Sequence, residues 1–139
     1  MTHYLDTSAC VALLTPESDT ARVDAWRQKY EGPIATSAWV HTEVCSALSI
    51  KVRTGSLTVE ERSVVTVAWL ALRQGCHQLA VAEDSFSIAA EMAERHDLNL
   101  RAGDALHLAV VAANGCVLVT LDERMARAAE ELGVPVTEI

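Results

Sequence analysis

Four carboxylates stand where an acid is out of the ordinary. Asp6 lies in YLDTS, where a short apolar strand runs into an acid, two hydroxyl residues and a small apolar helix. Asp122 repeats the arrangement in CVLVTLDERMARAAEELG, at the end of a strongly apolar strand and the start of a helix. Each has an ordinary explanation, because Asp is a favoured N-cap that satisfies backbone N–H groups otherwise left without partners. As a pair they have a second. Ligands of an open parallel sheet bind outside the carboxyl ends of its strands, so two strands ending in Asp can aim both acids at one crevice.

Glu43 and Asp104 sharpen that second explanation. On a helix over 39–53, positions 39, 43, 47 and 50 form one stripe and read Trp39, Glu43, Ala47 and Ile50, an acid on a face otherwise suited to a core. A carboxylate there needs donors or a cation, and a metal ion is one solution; solvent or an arginine at the stripe's edge is another. Asp104, in RAGDALHLAVVAANG, opens a helix that is apolar on every side, where the helix dipole favours negative charge. His107 stands one turn beyond Asp104, within reach of a hydrogen bond to it.

The elements that must position these acids alternate along the chain. Strands are expected near 3–5, 33–36, 78–82, 116–121 and 134–137, and helices near 8–14, 19–30, 39–53, 59–74, 85–96, 103–113 and 123–132. Such alternation predicts an α/β sandwich around a mostly parallel sheet. Thr58 and Glu61 have the spacing of a capping box, and Gly75, Gly115 and Gly133 follow helical runs where a left-handed cap fits. At 139 residues, half of them hydrophobic, residues 1–139 are expected to form a single domain.

Composition excludes several classes. The longest apolar stretch, ALHLAVVAA, is far short of a membrane span, and the N-terminus lacks the basic region and apolar block of a signal peptide, which points to a cytoplasmic protein. Cys10, Cys45, Cys76 and Cys116 are widely spaced in apolar company, so each is read as a small buried side chain rather than a zinc or disulfide framework. A net charge of −8 argues against indiscriminate coating of nucleic acid but not against a local nuclease site. Four acids holding divalent metal would account for half of that excess.

With YLDTS, TEV around Glu43, RAGDALHLA and VTLDERM in order along the chain, the sequence resembles the PIN-domain family, and within it the VapC-type toxins of prokaryotic toxin–antitoxin systems. The resemblance spans essentially the whole chain. It implies a PIN-like three-layer α/β/α sandwich with a five-stranded parallel sheet, and a homodimer. Asp6, Glu43, Asp104 and Asp122 would be the catalytic set holding Mg²⁺ or Mn²⁺, with Ser8 and Thr120 lining the site. The implied activity is metal-dependent endoribonuclease action on tRNA, rRNA or mRNA. It also implies a cognate antitoxin whose tail lies across the groove, with an Arg or Lys reaching the acids. Apolar positions on the helices near 8–14 and 39–53 are the expected seat for that partner's helix.

Such chemistry has physical requirements that these residues meet. A divalent ion lowers the pKa of water and shields the phosphate, and Mg²⁺ and Mn²⁺ prefer oxygen ligands. Products with 5′-phosphate and 3′-hydroxyl ends are expected. Arg101 and Arg124 are the nearest candidates for substrate phosphate, followed by Lys51 and Arg53; as solvated helix-end charges they would have no such role. Few aromatics are present, which favours recognition of RNA shape over base stacking.

Two alternatives remain distinct. A metal-independent ribonuclease would use His3 and His107 as base and acid, giving cyclic-phosphate ends in EDTA. A non-catalytic α/β binding module would use the acids only as caps or for a structural ion. Neither GxGxxG nor GxxxxGK[ST] occurs, which removes the common nucleotide-binding loops.

Overall fold

The computed structural model describes all 139 residues. Strands β1 (His3–Leu5), β2 (Ile34–Ser37), β3 (His77–Leu79) and β4 (Val117–Val119) form one sheet in the order β3-β2-β1-β4, with every pairing parallel. Between β1 and β2 run α1 (Thr7–Leu14) and α2 (Thr20–Lys29). Between β2 and β3 run α3 (Ala38–Arg53) and α4 (Val59–Gln74), and between β3 and β4 run α5 (Glu83–Glu94) and α6 (Ala102–Ala113). Helix α7 (Glu123–Glu131) follows β4. Every expected helix is present, its ends within two residues of expectation.

The sheet has four strands rather than five. Residues expected to form the last strand make a single parallel bridge, Leu118 to Val136, through Leu118 N–H to Pro135 O and Thr137 N–H to Leu118 O, both 2.8 Å. Pro135 has no N–H to extend the ladder, so pairing stops there. Strand β3 is also shorter than expected and lies at the opposite edge.

Connectivity fixes where a ligand can go. The chain steps from β1 to β2 to β3 in one direction, then returns past both to place β4 on the far side of β1. Right-handed crossovers put helices from the outward steps on one face and those from the return on the other. Packing agrees: α1 lies against α2, α3 and α4, while α5 lies against α6. The result is the expected three-layer sandwich, with all carboxyl strand ends on one edge and the reversal of direction between β1 and β4.

Burial follows this plan with some departures. Tyr4, Leu5, Leu118 and Val119 are buried at the sheet centre, and α6 is buried continuously from Ala105 to Val111, as its all-round apolarity predicts. On α3 the core face is Val40, Val44 and Leu48, not the stripe through Glu43; Ile50 on that stripe is 46% exposed. Helix α1 spends most of its apolar side chains on the core, and besides Ile50 on α3 exposed apolar surface lies on α4, at Val64, Val67 and Leu70, and on α5 at Phe86. Cys10 and Cys116 are buried and Cys76 partly so, but Cys45 is exposed, because it falls on the outer face of α3.

Local signals read correctly where they were strong. Thr58 Oγ1 accepts from Glu61 N–H at 3.0 Å, and Gly115 and Gly133 adopt left-handed φ of 58° and 72°. Gly75, with φ −80°, ends α4 without a left-handed residue. No helix is long and apolar enough to cross a membrane.

One polar atom in the sheet is unsatisfied. Thr36 Oγ1, fully buried on β2, has no hydrogen-bond partner. A buried hydroxyl without a partner costs about 1–3 kcal/mol of desolvation. Thr36→Val, which keeps the shape and removes that cost, is expected to leave stability unchanged or raise it by about 1 kcal/mol. Urea denaturation checks this, and a clear loss of stability would show that the hydroxyl contributes.

Candidate active site

Asp6 directly follows β1 and is 2% exposed. Its Oδ1 accepts from Ala9 N–H at 2.9 Å, capping α1, and from the Ser8 hydroxyl at 2.7 Å. Its Oδ2 accepts from the Thr120 hydroxyl at 2.5 Å, across the chain from the end of β4. Ser8 Oγ also accepts from Leu121 N–H at 2.9 Å, so the two strand ends on either side of the reversal are laced together. Burial pushes the Asp6 carboxyl above its usual range; the charge of His107 and these hydrogen bonds counter it only in part.

Asp122 reproduces the cap on α7, its Oδ1 accepting from Arg124 N–H at 2.9 Å and Met125 N–H at 3.1 Å. Asp104, in the first turn of α6, accepts from Arg101 N–H at 3.3 Å through Oδ2. Helix α6 runs back toward the start of β4, which sets its first turn at the carboxyl edge of the sheet. Burial raises the Asp104 pKa and the charge of Asp122 adds to it, against Arg101 N–H, His107 and Arg124.

Glu43 reaches the same region from α3. Its Oε1 accepts from the Thr7 hydroxyl at 2.8 Å and from His107 Nε2–H. Burial pushes its pKa up, but the hydrogen bond and charge of His107, with Thr7, outweigh burial and hold the carboxyl below its usual range. His107 therefore partners Glu43 rather than Asp104. One turn of separation on α6 made Asp104 the expected partner, yet His107 is 2% exposed and faces α3 across the core.

These four acids line one cavity of about 660 Å³. Glu17, Asp19 and Glu123 add further carboxylates, against Arg124 and His107. Ser8 lies on its wall, while Thr120 is buried behind it and acts through Asp6. Arg101 is exposed and its side chain lies outside the lining; only its backbone N–H serves the site. Lys51 is paired with Glu17 at 2.9 Å. Thr7 escaped the sequence reading, although a hydroxyl beside Asp6 at the start of a helix was a usable signal.

His3 sits at the other end of β1, packed at a tilt against Tyr30 with ring centroids 4.1 Å apart, and does not line the cavity. A histidine acid–base pair with His107 therefore has no common site.

The donor set is one of hard oxygens. Of the four acids, Glu43 Oε2, Asp104 Oδ1 and Asp122 Oδ2 are the oxygens not taken up by the protein's own donors. No three His, Cys, Asp or Glu side chains close around a single point. That arrangement suits a Mg²⁺-like ion, which keeps several waters and takes one or two carboxylates, better than an all-protein cage.

Comparison with known proteins agrees with this architecture. No curated protein matches the sequence. Among solved structures, VapC20 of Mycobacterium tuberculosis, described as a sarcin-ricin loop cleaving toxin, is 21% identical with a TM-score of 0.72, over 91% of this chain and 94% of that chain. FitAcB from Neisseria gonorrhoeae is 19% identical with a TM-score of 0.73, over 98% and 96%. VapBC2 from Rickettsia felis, solved bound to a promoter DNA fragment, is 17% identical with a TM-score of 0.68, over 99% and 98%. At these identities the likeness is one of fold. The PIN domain family, however, matches residues 3–131, from the first strand to the end of the last helix and across all four acids, and the chain belongs to that family.

Proposed function

We propose that the chain is a metal-dependent endoribonuclease and the toxin of a type II toxin–antitoxin pair, arresting growth by cleaving tRNA, rRNA or mRNA. One observation carries this reading: four carboxylates from four separate elements line one cavity at the carboxyl edge of a parallel sheet. Membership of the PIN family and likeness to toxin structures support it.

Asp6, Glu43, Asp104 and Asp122 would hold Mg²⁺ or Mn²⁺. Such an ion supplies a more acidic water and shields the phosphate. The protein's own residues do the rest. Asp6, fixed by three donors, sets the position of negative charge at the strand end. Arg124, on the cavity wall, is placed to donate to a substrate phosphate. An excess of carboxylates in the cavity also offers an Arg or Lys of a cognate antitoxin its complement, and the protein acts as a homodimer in this reading.

Incubating the protein with tRNA and ribosomal RNA in Mg²⁺, Mn²⁺ and EDTA tests the activity. Cleavage is expected with either metal and not in EDTA, leaving 5′-phosphate and 3′-hydroxyl ends, and Asp6→Asn is expected to lower it by about 100-fold or more. Cleavage indifferent to both EDTA and the substitution would overturn the mechanism.

Burial of Asp104, with the charge of Asp122 beside it, makes a separate prediction. The folded pKa of Asp104 lies above its unfolded value. Between those two values the folded state holds more protons, so this group adds stability as pH falls and withdraws it as pH rises through the folded pKa. Asp104→Asn should therefore melt a few degrees higher than wild type at neutral pH without metal, with the advantage fading in acid. Mg²⁺ should raise the melting temperature of the wild type more than that of the variant. A variant less stable at neutral pH would contradict this account.

A further inference from the structure

Behind Glu43 lies a hydrogen-bond chain that the cavity does not expose. Tyr4, fully buried on β1, places its hydroxyl 3.0 Å from His107 Nδ1 and 2.8 Å from Ser37 Oγ. Ser37 is itself buried, and its Oγ accepts from Val40 N–H at 3.3 Å as the N-cap of α3, the helix that carries Glu43. None of Ser37, Tyr4 and Val40 lines the cavity.

We infer that Tyr4, held by Ser37, is a positioning residue that acts through His107 to fix which oxygen of Glu43 faces the cavity. With His107 Nε2–H donating to Glu43 Oε1, one polarity satisfies every link of a neutral ring: Tyr4 O–H donates to His107 Nδ1 and Ser37 O–H donates to Tyr4 O. With Tyr4 donating to Nδ1, a neutral imidazole carries its proton on Nε2, the nitrogen that faces Glu43. Without Tyr4, the Nε2-protonated form is held by Glu43 alone and the buried Nδ1 loses its hydrogen-bond partner. A doubly protonated ring keeps the same bond to Glu43 and reverses both bonds of the Tyr4 hydroxyl.

The chain commits Oε1 to the protein and leaves Oε2 free. Gly103 borders that free oxygen: a Cβ there would lie 3.5 Å from Glu43 Oε2 and 3.2 Å from the Trp39 ring. Trp39 Nε1–H donates to Gly103 O at 3.2 Å, which holds the first turn of α6 against α3. Glu43 is thus fixed from behind by a buried relay and flanked in front by a residue without a side chain. Groups that orient a ligand's side chain in this way affect metal affinity by about 10- to 100-fold when removed.

Tyr4→Phe breaks the relay and keeps the ring in the core. Nitrogen NMR of the His107 imidazole in the metal-free protein is expected to show Nε2 protonated toward Glu43 in the wild type and a displaced Nδ1 resonance, its hydrogen bond lost, in Tyr4→Phe. Mn²⁺ titration is expected to show an affinity about 10-fold weaker in Tyr4→Phe. Thr36→Val, a buried hydroxyl on β2 outside the relay, should match wild type in both measurements. Should Tyr4→Phe fail to fold, Ser37→Ala breaks the chain one link further out.

The Mn²⁺ arm rests on the proposed metal-dependent function, and the imidazole arm does not. If the imidazole responds as expected but the wild type takes up no Mn²⁺, the positioning role stands and the metal reading falls. An unchanged imidazole spectrum overturns the inference, as does an unchanged Mn²⁺ affinity in a variant of a wild type that binds the ion.

Discussion

A buried carboxylate at the end of the central strand is the constraint around which this molecule is arranged. Asp6 is nearly inaccessible, and an uncompensated charge there would be costly. Its compensation comes from the first turn of α1 and from Thr120 beyond β4. Two of the three donors that make the charge tolerable, Ser8 and Thr120, also pin together the two central strand ends. Stability and a concentrated negative site therefore arise from one set of contacts, and Asp6 is both the cap that its local sequence suggests and a wall of the cavity.

The remaining acids reach the cavity for reasons of topology. Parallel strands deliver their following residues to one edge, and the return connection makes α6 begin at that edge rather than end there. Glu43 arrives on a flank of α3, between the core face and solvent. A fully inward position would have removed it from the cavity, and a fully outward one would have separated it from His107. The partners of each carboxylate differ accordingly: Asp6 and Asp104 are harder to ionise than usual, whereas Glu43 is easier.

Much of this was legible in the sequence because the signals are local. At Asp6 and Asp122 an apolar run gives way to helical periodicity at the acid itself, so the strand-to-helix junction could be read directly. The long apolar α6 announced its burial. What escaped depends on tertiary neighbours. His107 and Glu43 are 64 residues apart, and only the packing of α6 beside α3 brings them together, so the i, i+3 neighbour Asp104 was the natural expectation. The acid's stripe on α3 was read as core because Trp39 and Ile50 share it, yet Val40, Val44 and Leu48 supply that face. The fifth strand shrank to a single bridge at Val136, and Pro135, which lacks an N–H, ends the pairing on its N-terminal side.

The bond from Thr120 to Asp6 joins residues 114 positions apart, and this separation has a consequence for synthesis. In a chain made from its N-terminal side, β1 and Asp6 precede their partners at the end of β4 by the length of the intervening domain. Contacts between such distant residues form late, because a long loop must close before they contribute. The carboxylate cluster is therefore incomplete in every shorter nascent chain. Until β4 follows, a nascent chain carries Asp6 without the Thr120 hydroxyl that secures its second oxygen.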